Sequence, residues 1–282
     1  MSLLNLDDLN EIEIINYIKR AFEFKGGLKV SYSDVKIGNL FFEPSTRTQY
    51  SFEVAAYNLG CNVVTFNEQT SSTKKGESLL DTVVTFEAFG VDALVIRSSQ
   101  EKFYEELNDI KIPIINGGDG SCDHPTQVLL DLMTIYQEYN KFEGLNVLIV
   151  GDIKHSRVAR CNYKAMNKLK MNVKLVAPNE LRGDYGEYVD FDEHVADADV
   201  IMMLRVQNER HDQLNDYPHK LYQLNSERLK LTKKDAIVLH PGPYNRGVEI
   251  TDCVIDSSQS RIKQQVNNGV YIRMAVLENE IR

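Results

Sequence analysis

The chain has 282 residues, 43% of them apolar and 26% charged, with a formal net charge of -9. That length can bury one large core or two smaller ones, and the composition excludes disordered and fibrous classes. A net negative charge without any long lysine or arginine block excludes nucleic acid and anionic membrane surfaces as expected partners. The opening Met1-Ser2-Leu3-Leu4-Asn5-Leu6-Asp7-Asp8 carries no basic leader, and no apolar run approaches a membrane span, so a cytoplasmic protein is expected. Cys61, Cys122, Cys161 and Cys253 lie far apart with no CxxC pair, which fits free thiols in a reducing compartment. The six histidines show no ligand spacing, and neither a metal nor a cofactor is expected.

In chain order, a strand is predicted over residues 36–42, followed by Glu43-Pro44-Ser45-Thr46-Arg47-Thr48 and a helix over 46–59 closed by Gly60. A strand over 61–66 leads through the polar stretch 67–76 to a helix over 77–89 closed by Gly90. Strands over 92–96 and 112–115 come next. Arg97 ends the first, and Gly117-Gly118-Asp119-Gly120 forms a bend after the second, leading to His124-Pro125-Thr126-Gln127. Pro125 suits the first turn of a helix over 125–139. The polar stretch 139–144 marks a change of domain, ahead of strands over 145–150, 172–176, 200–204 and 236–239. A last helix covers residues 261–282. Several strands are continuous apolar runs, as in sheets buried on both faces. The fold class is therefore α/β, with two domains, each a mostly parallel sheet flanked by helices.

Ligands of open parallel sheets bind beyond the carboxyl ends of the strands, and Arg47, Arg97, Arg157 and Arg205 all fall at such positions. Ser45-Thr46-Arg47-Thr48 at a strand-to-helix turn offers backbone N–H groups, hydroxyls and a guanidinium, a cradle for a phosphate dianion. A helix N-terminus contributes only about 0.3–2 kcal/mol toward an anion, so the side chains must supply most of the grip. The same residues also fit a plain N-cap with a solvated arginine. His124 reads either as an imidazole aimed at a bound carbonyl or as a structural histidine. Arg97 reads either as a ligand-binding group or as half of an ion pair at the core edge. Residues 67–76, with Ser71, Lys74 and Lys75, form a surface connection or a lid over a site in the same or a neighbouring subunit. Residues 144–157 look like the opening of a dinucleotide-binding unit, yet Gly151 stands alone where three glycines are required. Arg157 at that turn suits a carboxylate.

Five segments together resemble the aspartate branch of the carbamoyltransferase family: residues 42–48, Lys74-Lys75-Gly76-Glu77, Gly118-Asp119-Gly120 with His124-Pro125-Thr126-Gln127, Arg205-Val206-Gln207-Asn208-Glu209-Arg210, and His240-Pro241-Gly242-Pro243. The ornithine branch carries a serine-methionine-glycine motif and a His-Cys-Leu-Pro segment, and this chain has neither. The resemblance implies transfer of the carbamoyl group of carbamoyl phosphate to the amine of L-aspartate, an early step of pyrimidine biosynthesis. The products would be N-carbamoyl-L-aspartate and phosphate.

The resemblance further implies that Ser45, Thr46, Arg47, Thr48, Ser71, Lys75, Arg97, His124 and Gln127 bind carbamoyl phosphate. Lys75, Arg157, Arg205, Gln207, Gly242 and Pro243 would bind aspartate, and Arg47, Thr48, Lys75, Arg97 and His124 would be catalytic. It implies a homotrimer with active sites shared between subunits, Ser71 and Lys75 entering from the neighbour. Residues 1–139 with 263–282 would form the carbamoyl phosphate-binding domain and residues 140–262 the aspartate-binding domain, with the active site in the cleft between. A carbamoyltransferase with another amine acceptor and a non-catalytic phosphometabolite-binding protein are the competing readings.

Overall fold

The computed structural model describes residues 2–68, 76–120, 122–206 and 219–282. The chain forms two compact units, Met1–Leu130 with Val266–Arg282, and Asp131–Gln265.

The first unit opens with helix α1 (Glu11–Lys25), started by a capping box in which Asn10 accepts from Glu13 N–H and Glu13 accepts from Asn10 N–H. Four strands follow, β1 (Lys36–Phe41), β2 (Asn62–Asn67), β3 (Ala93–Ser98) and β4 (Ile114–Asp119), interleaved with helices α2 (Thr46–Asn58) and α3 (Leu79–Ala88). All pairings are parallel and the strand order is β2-β1-β3-β4. Every residue of β1 after Lys36 and all of β4 are buried, the polar Asn39, Asn116 and Asp119 among them. The core beneath includes Leu40, Val83, Leu94, Ile96 and Phe103.

Three details differ from the sequence expectation. The strand expected over 112–115 is β4, which starts only at Ile114 and runs on to Asp119. Arg97 is not beyond its strand but within β3, paired in register with Phe41. Gly117 and Gly118 belong to β4 rather than to a bend after it. The reason is close packing: a Cβ on Gly117 would lie 3.2 Å from the carbonyl oxygen of Ile96, and the β3–β4 register shifts between Ile96 and Ser98. The glycines therefore let the strand run past a bulge.

The second unit repeats the plan with β5 (Asn146–Val150), β6 (Asn172–Val176), β7 (Val200–Met203) and β8 (Ile237–Leu239), parallel throughout, in the order β6-β5-β7-β8. Helix α4 (Pro125–Tyr139) precedes β5, and α5 (Arg157–Lys168) joins β5 to β6. Leu148, Val150, Phe191, Ile201 and Val238 contribute to its core. The final helix, α6 (Ile262–Ile281), starts after β8, and within the first unit its Asn268 and Glu278 accept hydrogen bonds from Lys25 and Arg20 of α1.

In each sheet the first strand sits second in order, so the connections from β1 and β3, and from β5 and β7, leave in opposite directions. The crevice where they part is the topological switch point, the site of ligand binding in open α/β sheets. All four cysteines are free thiols. Among the described residues no helix is long and apolar enough to cross a membrane, and no group of three or more potential metal ligands occurs.

Candidate active site

At the switch point of the first sheet, β1 runs through Phe42 and Glu43 into α2. The N–H of Phe42 donates to the carbonyl of Arg97, which ties this loop to the end of β3. Ser45 is the N-cap of α2, in extended conformation, and its side chain makes no capping hydrogen bond. That distinguishes it from Asn10, Ser78, Ser156, Asp190 and Asn225, each of which accepts from a backbone N–H of the helix it starts. The helix end after Ser45 thus keeps N–H groups that its cap side chain does not engage, and no acidic residue lies in its first turn. An anion completes such an end.

Thr46 and Arg47 are exposed on this turn, whereas Thr48 points inward and is buried. Its Oγ1 lies 3.3 Å from Nε2 of His124, itself buried. Hydrogen bonds of two acids lead to the imidazole: buried Asp119 accepts from the N–H of Asp123 at 2.5 Å and of Lys102 at 3.0 Å. Asp123 in turn accepts from the N–H of His124 at 2.7 Å and of Leu6 at 3.0 Å. Gln127, in the first turn of α4, donates its backbone N–H to the His124 carbonyl.

Arg97 forms the ion pair that one of its two readings expected. Its guanidinium lies 2.5 Å from the Glu43 carboxylate and donates to the Gly117 carbonyl at 3.3 Å. The ion pair orients the arginine at the mouth of the switch point and at the same time offsets its charge. Burial, reinforced by Asp119, pushes the thiol pKa of Cys122 in this segment up.

At the second switch point, Gly151 follows β5 with φ of 128°, and a Cβ there would come within 2.9 Å of the Leu204 carbonyl oxygen. This single glycine is required by the close approach of the segment after β7, not by a dinucleotide. Buried Asp152 accepts from the backbone N–H of His155, and Ser156 caps α5 by accepting from the N–H of Ala159 at 3.1 Å. Arg157 is the first residue of α5, and Arg205 lies two residues beyond β7; both are partly exposed. After β8, Gly242 has a positive φ of 67° and precedes a cis peptide bond to Pro243.

The described residues therefore bring Ser45, Thr46, Arg47, Thr48, Arg97, His124 and Gln127 to one sheet edge, and Arg157, Arg205, Gly242 and Pro243 to the strand ends of the other. Ser71, Lys75 and Gln207, and Lys74 beside them, lie outside the described residues. Sequence reasoning gave no role to Glu43, Asp119 or Asp123, the acids that hold Arg97 and His124. Glu43 and Asp119 stood inside the quoted motifs; the Arg97 partner of Glu43 is far away in sequence, and the contacts of Asp119 and Asp123 with backbone N–H groups leave no periodic signal.

Family models match both parts of the chain: "Aspartate/ornithine carbamoyltransferase, carbamoyl-P binding domain" over residues 1–137 and "Aspartate/ornithine carbamoyltransferase, Asp/Orn binding domain" over residues 143–279. The chain belongs to the aspartate/ornithine carbamoyltransferase family. Among curated relatives, the aspartate carbamoyltransferase catalytic subunit of Fusobacterium nucleatum is 49% identical, with 98% of this chain and 94% of that one covered. The same subunit of Staphylococcus carnosus is 50% identical, covering 98% and 93%. Among solved structures, aspartate transcarbamoylase from Trypanosoma cruzi in complex with carbamoyl aspartate and phosphate is 29% identical, with TM-score 0.90 and coverage of 98% and 94%. The catalytic subunit of M. Jannaschii aspartate transcarbamoylase is 31% identical, with TM-score 0.88 and coverage of 99% and 97%.

Proposed function

We propose that this chain catalyses attack of the amine of L-aspartate on the carbamoyl carbon of carbamoyl phosphate, giving N-carbamoyl-L-aspartate and phosphate. The observation that carries the donor side is the α2 N-terminus, which its Ser45 cap leaves unengaged beside the buried Thr48–His124 pair. Solved relatives support both sides, since the Trypanosoma cruzi enzyme is known in complex with carbamoyl phosphate and aspartate.

In this reading Ser45, Thr46, Arg47 and Thr48 hold the phosphate, with Gln127 near the carbamoyl group. Thr48, Arg97 and His124 donate to the carbamoyl oxygen as it gains negative charge; the geometry that supports this is the 3.3 Å approach of Thr48 Oγ1 to His124 Nε2. Arg157 and Arg205 pair with the two carboxylates of aspartate, and the backbone of Gly242 and Pro243 lines the same acceptor. Fixing both carboxylates orients the amine for attack, a gain in effective concentration. The N–C bond forms, the C–O bond to phosphate breaks, and the amine proton leaves with the phosphate. Gln207 on the acceptor side, Ser71 on the donor side and Lys75 on both enter by family resemblance.

The finer assignments follow from the same reading: residues 1–139 with 263–282 as the donor domain, 140–262 as the acceptor domain, a cytoplasmic enzyme of pyrimidine biosynthesis, and a homotrimer. Tyr50, Val54 and Tyr57 support a homo-oligomer: they recur at helical spacing on α2 and are 57%, 46% and 80% exposed, an apolar stripe suited to a second copy.

The deciding experiment offers carbamoyl phosphate with aspartate, ornithine and other amines, and follows product formation. Aspartate alone should be carbamoylated, and a phosphonate joined to aspartate should inhibit. Donor binding without product would favour a non-catalytic role, and ornithine turnover would move the chain to the other branch. For the shared site, Arg47→Ala and Lys75→Ala chains are expected to be inactive alone and to regain activity when reassembled together. Confirmed hybrid trimers without recovery would overturn that arrangement.

A further inference from the structure

We infer that Gln265 is a positioning residue for the acceptor side, holding the loop of Gly242 and Pro243 in place through a chain of hydrogen bonds that starts in the buried interior. The inference rests on the assignment of that loop to aspartate.

Gln265 lies in the first turn of α6 and is 2% exposed. Its Nε2 donates to Asp131 Oδ1 of α4 at 2.7 Å, and its Oε1 accepts from the backbone N–H of His240 at 2.9 Å. Neither end of the amide can be reversed: a carboxylate only accepts and a backbone N–H only donates. Asp131, fully buried, also accepts from Asn162 Nδ2 of α5 at 2.9 Å. His240 is the first residue beyond β8, so Gln265 fixes the point at which the loop leaves the sheet.

From there the chain continues into the loop. The N–H of Gly242 donates to His240 Nδ1 at 2.9 Å, so a neutral imidazole carries its proton on Nε2, which faces buried Glu249 Oε1 at 3.2 Å. Glu249 Oε1 accepts from the N–H of Asn245 at 2.5 Å, and Asn245 Nδ2 donates to the carbonyl of Val206 at 3.2 Å. Val206 is the neighbour of Arg205. One polar chain therefore runs from α5, which begins at Arg157, through α4 and α6 to the Gly242 loop and the Arg205 segment. In a low-dielectric interior each link depends on the next, and losing one leaves buried partners unsatisfied.

The test uses the two-sided chemistry of this amide. In Q265E a carboxylate faces Asp131, so the link is broken by like charges. In the double variant D131N/Q265E the polarity is exchanged. The new side-chain amide at position 131 donates to the new carboxylate at position 265, and its carbonyl oxygen accepts from Asn162. The carboxylate at position 265 still accepts from the N–H of His240. Q265E is expected to raise the KM for aspartate ~10–100-fold, as for a sub-ångström to ångström displacement of a binding loop, while the KM for carbamoyl phosphate changes less than about two-fold. The double variant should return the aspartate KM to within about five-fold of wild type.

An unchanged aspartate KM in folded Q265E, or no recovery in the folded double variant, overturns the inference. If Q265E does not fold, Q265M, which keeps the volume but lacks both hydrogen bonds, must shift the aspartate KM in the same direction; no shift overturns it as well. R205A run in parallel separates the two levels. If R205A leaves the aspartate KM unchanged, the acceptor-site assignment fails and the inference with it. If R205A raises it while Q265E and Q265M do not, the positioning role alone fails.

Discussion

The two sheets share one topology, β2-β1-β3-β4 and β6-β5-β7-β8, yet their switch points are furnished in opposite ways. In the first, the helix after the leading strand starts with a serine whose hydroxyl leaves the helix end alone, and a buried threonine–histidine pair stands beside it. In the second, the corresponding helix is capped by Ser156, and arginines at its start and after β7 provide the charge. The two switch points thus share their topology and differ in the cap of the helix that follows. An open helix end suits a phosphate dianion, whereas a closed one leaves carboxylate recognition to guanidinium side chains.

The largest expected effect breaks the first site. Arg97→Ala and His124→Ala should each lower kcat by ~10²–10³ with the fold intact, the magnitude of losing one donor to a developing oxyanion. Steady-state rates with circular dichroism check this, and near-full activity in either variant removes that residue from the chemistry. The second site should respond differently. Arg205→Ala should raise the KM for aspartate by roughly 10–100-fold, from the loss of a charge-assisted hydrogen bond worth about 1.5–3 kcal/mol, with carbamoyl phosphate binding preserved. Initial rates at varied aspartate and varied donor distinguish the two patterns.

A smaller effect tests the caps themselves. Ser156→Ala should lower the stability of the ligand-free protein by about 1 kcal/mol, because a capping bond is lost. Ser45→Ala should change it by less than about 0.5 kcal/mol, since no such bond is present, while weakening phosphate binding. Urea unfolding midpoints of the two variants give the comparison; equal losses would mean that Ser45 is an ordinary cap.

The smallest effect is a pH dependence that belongs to neither site. The hydrogen bond from Arg228, 2.6 Å away, holds the Asp192 carboxyl below the usual carboxylate range. A lowered folded-state pKa stabilises above the unfolded value of about 3.9, and the contribution is lost as pH falls through the folded value. Asp192 is largely exposed, so the gap between wild type and Asp192→Asn should be only about 0.2–1 kcal/mol near neutrality. Urea midpoints measured down the acid range should show the gap closing, and a constant gap would exclude the ion pair as its source.

Much of this was legible in the residues alone. Each of the eight strands overlaps an expected apolar run, because a strand buried on both faces declares itself by local hydrophobicity; β4 overlaps its run only at Ile114 and Ile115, since its buried second half, 116–119, is not apolar. Gly60 and Gly90 follow the ends of α2 and α3 with φ of 75° and 74°, the backbone a helix stop demands. The arginines, the Ser45–Thr48 turn and His124 stood out as polar residues just where apolar runs stop.

Other features waited for the tertiary structure. Strand order depends on which β-strands pair across long stretches of chain, so the switch points were not readable before the sheets were built. Whether Ser45 caps, whether Arg97 meets Glu43, and how Gln265 reaches Asp131 and His240 are matters of contact between distant segments. Sequence fixes which side chains are available and the local periods that place them on strands and helices. Only folding decides their partners, because a hydrogen bond depends on a few tenths of an ångström in three dimensions and leaves no trace in one.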